Sequence, residues 1–418
     1  MRPLKIALLS RWYWAENRRA GTVAGGTAQQ LAEAVAALGH EVVVLSQSPE
    51  AGPLEKSRIG ALEVWLSPRD RKRDFLTGLR DKWAKQTFQY RKVYSDALAL
   101  RDFLAKRGPF DLLWAQCEEP DGLVAAVAAQ MGVALPPTLT QIYALRYGFD
   151  QGKPVFNGKT ALRLAFHHAS QIVANSQLVA DNLSHYADAE LTASTLREKT
   201  RVLPHNLLLE FLEVAQGPIP PPEPGRVLFF GALNEKKGAL IFLEALAKTH
   251  AAPNGATFAM TGGFTENHSV FAEQWKSAVE KVQTGPVSVK LELLGQVSSV
   301  EAIRQIQRAS VVVLPSLFDE FSRALIEALI LGRPVITTNQ VGASPLVEAH
   351  QCGVVIPPND SNALARAIDL ALNPISLYAA HAQSVAHRML HEFAPSAIAK
   401  QLCHYFSEML EGSNRREN

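Results

Sequence analysis

The chain has 418 residues, of which 47% are hydrophobic and 20% charged, and its formal net charge is +2. This length predicts two or three domains, and the composition excludes a disordered chain, a collagen and a coiled coil. The near-neutral charge gives no electrostatic basis for a nucleic-acid partner. The three cysteines, Cys117, Cys352 and Cys403, lie far apart and match neither a disulfide framework nor a zinc motif, which fits a reducing compartment.

The sequence predicts a cytoplasmic protein. Its first residues, MRPLKIALLSRWYW, contain too short an apolar run for a signal peptide. A membrane-spanning helix needs roughly 18 uninterrupted apolar residues. The nearest candidate, 123–135, is interrupted by Gln130 and is followed by two prolines.

The first half of the chain predicts an α/β domain. Apolar runs at 5–10 and 41–46 are typical of buried strands, and apolar residues recur at helical spacing between 27 and 38. Thr27 is the expected N-cap of that helix and Gly39 its stop. Further strands are predicted at 111–115, 137–142 and 171–174. Strands that alternate with helices predict a parallel, doubly wound sheet.

A proline-rich segment, QGPIPPPEPG at 216–225, marks the predicted domain boundary. Such a segment favours a stiff, extended linker over a strand. The α/β pattern then restarts, with strands predicted at 227–230, 257–260, 289–294, 311–314 and 334–337 and helices at 237–248, 323–331 and 363–372. We therefore predict two Rossmann-like domains, 1–215 and 226–390, that face a cleft, with the ligand at the carboxyl ends of their strands.

The strongest local pattern is LPSLFDEFSRALIEALILGRPVITT at 314–338. A strand is expected to end near Ser316 and a helix to begin after Ser322, its N-cap, whose free N–H groups suit a phosphate or diphosphate. Asp319 precedes this helix and Glu327 lies in its second turn, where an ionised carboxylate can accept hydrogen bonds from hydroxyls. A solvated acidic helix with ordinary capping is an equally weighted alternative.

Two glycine turns are further candidates for contact with an anion. In FGALNEKKG, at 230–238, a strand ends at Gly231 and Lys237 opens a helix, so the lysine can pair with a phosphate. Taken alone, an ordinary surface lysine pair is the favoured alternative. Gly25 and Gly26 permit close backbone approach to a ligand or form a merely tight turn. Neither turn is a dinucleotide fingerprint or a P-loop, and no metal cluster is indicated.

Taken together, these segments resemble the GT-B glycosyltransferases, specifically the retaining glycosyltransferase family 4. The resemblance extends over nearly the whole chain and is densest between 226 and 372. Six segments follow the family order, at 25–46, 202–206, 229–238, 293–297, 309–338 and 352–368. The resemblance implies a nucleotide-sugar donor bound mainly by the second domain, and a C-terminal segment, 391–418, that packs back on the first.

The resemblance also implies roles for individual residues. In the family's Glu-x7-Glu pattern, Asp319 takes the first position, which faces the donor sugar, and Glu327 the second, which holds the ribose hydroxyls. Lys237 takes the position of the lysine that neutralises the diphosphate. The further positions implied for donor contact are Gly25, Gly26, Gly231, Val297, Glu320, Phe321, Ser322 and Arg323.

Three positions depart from the family pattern. Asp319 is one methylene shorter than the family glutamate, and Ala232 stands where the family usually has an arginine. Tyr143 takes the place of a sugar-contacting histidine, on the acceptor or sugar side of the site. Arg323 is close enough in sequence to substitute for the missing arginine. These departures concern the rate and the donor identity, and they leave the expected fold unchanged.

The predicted reaction transfers a sugar from a nucleotide-sugar donor to a hydroxyl of a glycan, a lipid-linked acceptor or a small molecule, with retained anomeric configuration. Lys237 and the helix that begins near Ser322 are expected to stabilise the departing diphosphate without a metal or another cofactor. The alternative is a catalytically silent GT-B-like protein that binds a nucleotide or a partner protein. A dehydrogenase ranks far below both, because the glycine fingerprint is absent.

Residues 69–107 form a basic stretch, with twelve basic and five acidic residues and with aromatic and leucine side chains between them. Such a stretch can lie on an anionic membrane surface and present a lipid-linked acceptor. A solvated basic helix is the equally weighted alternative. The expected location is therefore the cytoplasm, with attachment to the inner face of the membrane as an option.

Overall fold

The computed structural model describes residues 2–11, 13, 23–47, 54–67, 88–145, 147–150, 153–156, 159–264 and 269–417. About half of the predicted basic stretch, residues 69–87, lies outside these residues. The chain divides into two compact units. Unit 1 comprises Met1–Tyr147, Phe156–Leu208 and Ala394–Asn418, and unit 2 comprises Gly148–Val155 and Leu209–Phe393.

The first ten strands run from residue 5 to residue 202. They are β1 (Lys5–Leu9), β2 (Glu41–Gln47), β3 (Glu55–Ile59), β4 (Leu62–Ser67), β5 (Leu112–Ala115), β6 (Thr138–Gln141), β7 (Tyr147–Asp150), β8 (Lys153–Phe156), β9 (Gln171–Ala174) and β10 (Thr200–Val202). Eight of them form the sheet of unit 1 in the order β10-β9-β6-β5-β1-β2-β4-β3, and β7 and β8 form a separate two-stranded sheet. All neighbours in the large sheet are parallel except β3 and β4.

The helices of this part of the chain are α1 (Val23–Ala37), α2 (Phe88–Arg107), α3 (Leu123–Gln130), α4 (Lys159–His168), α5 (Gln177–Asn182) and α6 (Ala193–Lys199). A π-helical turn spans Glu118–Gly122, and a 3-10 turn spans Leu183–Tyr186. Successive residues of β1 and β5 are buried on both faces of the sheet, which explains their uninterrupted apolar runs.

The start of α1 differs from the prediction. The helix begins at Val23, so Gly25 and Gly26 lie inside it rather than in a loop, and Thr27 is not its N-cap. Glycine disfavours a helix by about 1 kcal/mol, but packing can override this preference. A Cβ atom on Gly26 would lie 3.2 Å from Cδ2 of Leu208, so the glycine allows the helix to pass close to that side chain. Gly39 ends the helix as predicted, with a φ of +95°.

Unit 2 contains the second predicted sheet. Its strands are β11 (Arg226–Phe230), β12 (Thr257–Thr261), β13 (Lys290–Gly295), β14 (Val311–Leu314), β15 (Val335–Thr338) and β16 (Gly353–Ile356). They lie in the order β13-β12-β11-β14-β15-β16, and every neighbouring pair is parallel. The predicted fold class, two doubly wound α/β domains, is confirmed.

The remaining helices are α7 (Leu209–Ala215), α8 (Ala239–Leu246), α9 (Ser269–Thr284), α10 (Ser299–Arg308), α11 (Arg323–Ile330), α12 (Ser344–Ala349), α13 (Ser361–Leu372), α14 (Tyr378–Glu392) and α15 (Pro395–Glu417). The last helix, α15, belongs to unit 1, where it packs against α1. The buried ring of Phe406 meets Trp114 of β5 edge to face, with 5.8 Å between the ring centroids. This helix therefore covers part of the core of unit 1.

The proline-rich segment is held within unit 2. The Arg333 guanidinium donates to the Pro220 carbonyl, and the Glu223 N–H donates to the Arg308 carbonyl at 2.8 Å. The Glu223 carboxylate also pairs with the Arg308 side chain at 2.5 Å. Side-chain and backbone contacts with Arg308 and Arg333 thus tie this segment to unit 2.

Two sequence predictions, on a membrane-spanning helix and on the cysteines, can be compared with the described structure. In the described ranges, no helix is both long enough and apolar enough to cross a bilayer. Cys117, Cys352 and Cys403 are all buried free thiols.

Candidate functional site

The candidate site lies at the carboxyl edge of the sheet in unit 2. β11, β14 and β15 are neighbours in this sheet, so the loops that follow them meet at one edge. The Leu317 N–H donates to the Lys236 carbonyl at 2.8 Å, which joins the first two loops. The Gly342 N–H donates to the Asp319 carbonyl at 2.9 Å and adds the third.

Lys237 and Asp319 form an ion pair in which Nζ lies 2.5 Å from Oδ2. The side chains are 28% and 11% exposed, so this pair is more shielded from water than a surface salt bridge. Burial acts to raise the pKa of the Asp319 carboxyl. The charge and hydrogen bond of Lys237, helped by Lys236, outweigh burial and hold this pKa below its ordinary value. Asp319 is therefore an ionised acceptor at neutral pH.

Asp319 also orders the turn before α11. Its Oδ1 accepts hydrogen bonds from the N–H groups of Phe321 and Ser322, at 3.3 and 3.1 Å. Ser322 is the N-cap residue, as predicted, but its hydroxyl accepts no capping bond, and its backbone is left-handed, with a φ of 67°. The carboxylate of Asp319 thus performs the stabilisation that the sequence assigned to the serine hydroxyl.

Glu327 and Arg323 lie one turn apart on α11. Burial raises the pKa of the Glu327 carboxyl above its ordinary value, and the charge of Arg323 opposes this shift without cancelling it. A carboxylate in such surroundings can accept hydrogen bonds from ligand hydroxyls. That Arg323 substitutes for the arginine missing at Ala232 stays a prediction.

Glu320 and Lys236 form a second ion pair next to the first, with 3.3 Å between Nζ and Oε2. Burial raises the pKa of the Glu320 carboxyl, although Lys236 acts in the opposite direction. Two consecutive lysines therefore meet two consecutive carboxylates across the same pair of loops. The site therefore combines two flexible lysine side chains with carboxylates that can accept hydrogen bonds from hydroxyl groups.

Gly238 sets the close contact between these loops. α8 begins at Ala239, after the predicted start at Lys237, and Gly238 is its N-cap residue with a left-handed φ of 70°. A Cβ atom at this position would lie 2.1 Å from the Pro315 carbonyl oxygen. Only glycine tolerates both the conformation and this approach, and the approach brings Lys237 to Asp319.

The other donor residues implied by the resemblance occupy different surroundings. A Cβ atom on Gly231 would lie 3.8 Å from Cγ of Lys237, so this glycine borders the lysine side chain. Phe321 is buried, with its ring 6.0 Å from that of Phe393, and takes part in the turn through its backbone. Val297 follows β13, an edge strand that β12 and β11 separate from β14.

Gly25, Gly26 and Tyr143 belong to unit 1. The two glycines lie in α1, and Tyr143 follows β6 at the carboxyl edge of its sheet. The sequence reasoning missed two neighbours of Tyr143. The ring of His205 stacks on it with 4.4 Å between centroids, and Asn175 donates to its carbonyl at 3.0 Å. The segment VLPHN, at 202–206, contained this histidine, but its pattern assigned the residue no role.

Two families match the chain by sequence. Residues 224–373 match the family described as "Glycosyl transferases group 1", and residues 24–191 match the "Glycosyl transferase 4-like domain". The chain is 25% identical over 176 residues to glycogen synthase of Mycobacterium tuberculosis, an alignment that covers 42% of this chain and 41% of the relative. It is 26% identical over 194 residues to the lipopolysaccharide core biosynthesis mannosyltransferase LpcC of Rhizobium leguminosarum, covering 46% and 53%. The chain thus spans about half of these curated relatives or less.

Solved structures resemble the chain over nearly its whole length. Sucrose-phosphate synthase from Thermosynechococcus elongatus has a TM-score of 0.68 at 19% identity, over 98% of this chain and 100% of that one. A glycosyltransferase from Rickettsia africae has a TM-score of 0.67 at 17% identity, over 98% and 99%. Anabaena HepE, solved in complex with UDP and glucose, has a TM-score of 0.63 at 19% identity, over 97% and 99%. At these identities, the likeness concerns the fold.

Proposed function

Because the chain belongs to the GT-B glycosyltransferases of the family 4 type, we propose that it transfers a sugar from a nucleotide-sugar donor to an acceptor hydroxyl with retained configuration. The observation that carries this proposal is the juxtaposition of Lys237, Asp319 and the start of α11 at one sheet edge. A cation and a helix N-terminus suit a diphosphate, and carboxylates suit sugar hydroxyls.

In the proposed reaction, charge develops on the diphosphate as its bond to the sugar breaks. Lys237 leaves its ion pair with Asp319 and pairs with the diphosphate instead. The first N–H groups of α11 add stabilisation. Asp319 and Glu327 then accept hydrogen bonds from the hydroxyls of the sugar and of the ribose. The acceptor attacks from the face that the diphosphate leaves, so the proposal needs no protein nucleophile.

Ligand binding tests the donor class. Ligands of the native state raise its melting temperature, so a thermal-shift screen with UDP, GDP, ADP and CMP and their sugars should identify the base. Lys237→Ala and Glu327→Ala should each lower turnover of the stabilising donor by about 10²–10³-fold while keeping the fold. Lys281→Ala and Glu273→Ala, at exposed positions on α9, are the matched controls. Near-normal turnover in both site variants would refute the assignment.

We also propose that the reaction uses no bound metal or other cofactor, because Lys237 and the start of α11 can supply the stabilising charge. Donor turnover should therefore survive dialysis against excess EDTA. Activity that disappears with EDTA and returns with Mg²⁺ or Mn²⁺ would overturn this part of the proposal and would leave the donor site itself in place.

A silent nucleotide-binding or partner-binding protein is the second candidate function. Two observations favour it. Ala232 leaves the site with one cation fewer than the family pattern, and Lys237 is paired with Asp319. Hydrolysis or transfer of a nucleotide sugar by the wild-type chain, abolished in Lys237→Ala, would exclude it. Nucleotide binding without any turnover across the donor panel would support it.

We further propose a cytoplasmic location at a membrane surface, where residues 69–107 would present a lipid-linked acceptor. The excess of basic residues supports this proposal, although in the described part Arg107 already pairs with Glu41 and Glu63. Co-sedimentation with anionic liposomes at low salt, compared with neutral liposomes, tests it. An equal amount of protein in both pellets would refute binding to an anionic membrane surface.

A further inference from the structure

Two histidines lie one turn apart on α14, outside the donor site described above. His387 and His391 are both exposed, and their Nε2 atoms are 3.1 Å apart. The two rings meet edge to face, with 70° between their planes and 4.4 Å between their centroids. Side chains four residues apart lie on the same side of a helix, so the backbone of α14 itself brings these two nitrogens together. We refer to these two residues as the histidine pair.

The other histidines beside α14 are directed at different partners. The ring of His350 lies 2.7 and 2.8 Å from the guanidinium of Arg388, measured to its two nitrogens. His381 lies 3.0 Å through Nδ1 from the Gln351 carbonyl, and this nitrogen donates because a carbonyl can only accept. The histidine pair is therefore a separate unit in which two imidazole nitrogens face each other.

The spacing of these two nitrogens suits a shared metal ion. An imidazole nitrogen lies about 2.0–2.1 Å from a bound Zn²⁺. With 3.1 Å between the nitrogens, an ion at this distance from both would have a nitrogen–metal–nitrogen angle of about 95–102°. This value lies between the right angle of a square-planar or octahedral ion and the wider angle of a tetrahedral one. An ion can therefore replace the hydrogen bond between the rings at the spacing that the helix already gives.

The ligand atoms determine which ions can bind. Zn²⁺, Ni²⁺ and Cu²⁺ accept imidazole nitrogens, whereas Mg²⁺ and Ca²⁺ prefer oxygen ligands. Among the residues that the structure describes, no group of three or more His, Cys, Asp and Glu side chains could hold an ion, so water would complete the coordination. We propose that His387 and His391 form a two-nitrogen site for Cu²⁺, Ni²⁺ or Zn²⁺, with Cu²⁺ bound most tightly.

The site lies where the chain leaves unit 2. His391 is in the last turn of α14, and Phe393, its C-cap residue, is the last residue of unit 2. An ion held by the histidine pair stabilises this turn, because the turn cannot unwind without losing one of the two ligands. The ring of Phe393 lies 6.0 Å from that of Phe321, in the turn before α11. The proposed ion thus strengthens a helix end that packs on the donor site, and it takes no part in the transfer.

Isothermal titration of the full chain, prepared without a histidine tag and freed of EDTA, tests the site. We expect Cu²⁺, Ni²⁺ and Zn²⁺ to bind and Mg²⁺ not to bind. His387→Ala and His391→Ala should each weaken Ni²⁺ binding by about tenfold or more, because the second nitrogen of the chelate is lost. His381→Ala is the matched control on the same helix, and it should bind Ni²⁺ as the wild type does.

Electron paramagnetic resonance of bound Cu²⁺ counts the nitrogen ligands. We expect the splitting of two imidazole nitrogens in the wild type and of one in His387→Ala or His391→Ala. The inference is overturned if none of the three transition-metal ions binds, if both variants bind Ni²⁺ as tightly as the wild type, or if the Cu²⁺ spectrum is the same in all three proteins. None of these measurements uses a nucleotide sugar, so their outcome is independent of the proposed function.

Hydrogen exchange tests the effect of the ion on α14. With Ni²⁺ bound, the backbone amides of residues 387–393 should exchange more slowly in the wild type. The same addition should leave these amides unchanged in His391→Ala, and it should leave the amides of α9 unchanged in both proteins. Ni²⁺ binding that depends on the histidine pair but does not slow this exchange would refute the stabilisation of the last turn.

Discussion

Asp319 and Glu327 show how one site gives two carboxyl groups opposite properties. Burial acts to raise the pKa of both, but Asp319 meets Lys237 at 2.5 Å and its pKa falls below the ordinary value. At Glu327, the charge of Arg323 opposes burial without cancelling it, and the pKa of this carboxyl stays raised. Environments that separate two carboxyl groups in this way are typical of sites with divided roles.

The raised pKa of Glu327 predicts a cost to stability. The folded chain holds this proton at pH values where the unfolded chain has released it, so this contribution to stability falls as pH rises above 4.5. Glu327→Gln cannot ionise, and we expect it to be more stable than the wild type above neutrality while binding the donor less well. Urea unfolding at pH 4.5 and above neutrality measures the difference in stability between the variant and the wild type. Glu273→Gln is the exposed control, and a variant less stable above neutrality would contradict the prediction.

Asp121 predicts a second pH dependence, in unit 1. Burial raises its pKa to about 7, despite hydrogen bonds from Cys117 and from the Arg11 N–H. Stability should therefore fall as pH rises from 3.8 to about 7, by at most about 1.4 kcal/mol per pH unit. Asp121→Asn should flatten this slope in urea titrations, whereas Asp102→Asn, whose side chain is 40% exposed, should leave it unchanged. An unchanged slope in Asp121→Asn would show that the carboxyl does not titrate there.

At the scale of elements, the alternation of strands and helices predicted the α/β class of both domains and most strands of the two sheets, but it missed β3, β4, β10 and β16. Lys237 and Asp319 could be placed at one edge, because each follows a strand of the same parallel sheet. Their direct pairing could not be predicted, since it depends on how closely two loops approach. The start of α1 was missed for a similar reason, because the space that Gly26 leaves for Leu208 is a property of tertiary packing.

The loop contact at Gly238 can be tested with a matched glycine. In Gly238→Ala, the new Cβ would meet the Pro315 carbonyl oxygen, so the loops must separate and weaken the pairing of Lys237 with Asp319. We expect a loss of more than about 2 kcal/mol in unfolding free energy and weaker nucleotide binding. Gly255→Ala also has a positive φ but nothing within 4 Å, so it should cost only about 1 kcal/mol. Equal losses would contradict the steric explanation.

At the scale of the whole molecule, unit 1 depends on a helix, α15, that follows unit 2 in the chain. Phe406→Ala removes a fully buried ring that packs on Trp114, and we expect a loss of about 3–5 kcal/mol. Phe264→Ala, whose ring is 53% exposed, should cost less than about 1 kcal/mol. Urea unfolding followed by circular dichroism measures both. Similar losses would mean that α15 adds little to the core.

The position of α15 also has a consequence for biosynthesis. Apart from residues 148–155, unit 2 is contiguous in the chain, whereas unit 1 needs residues that precede and residues that follow unit 2. A ribosome therefore delivers every strand of the first sheet long before it delivers Phe406. Until then Trp114 lacks the ring that covers it, and the nascent chain exposes an apolar face suited to capture by chaperones. Unit 2, by contrast, has all its strands translated before α15 leaves the exit tunnel.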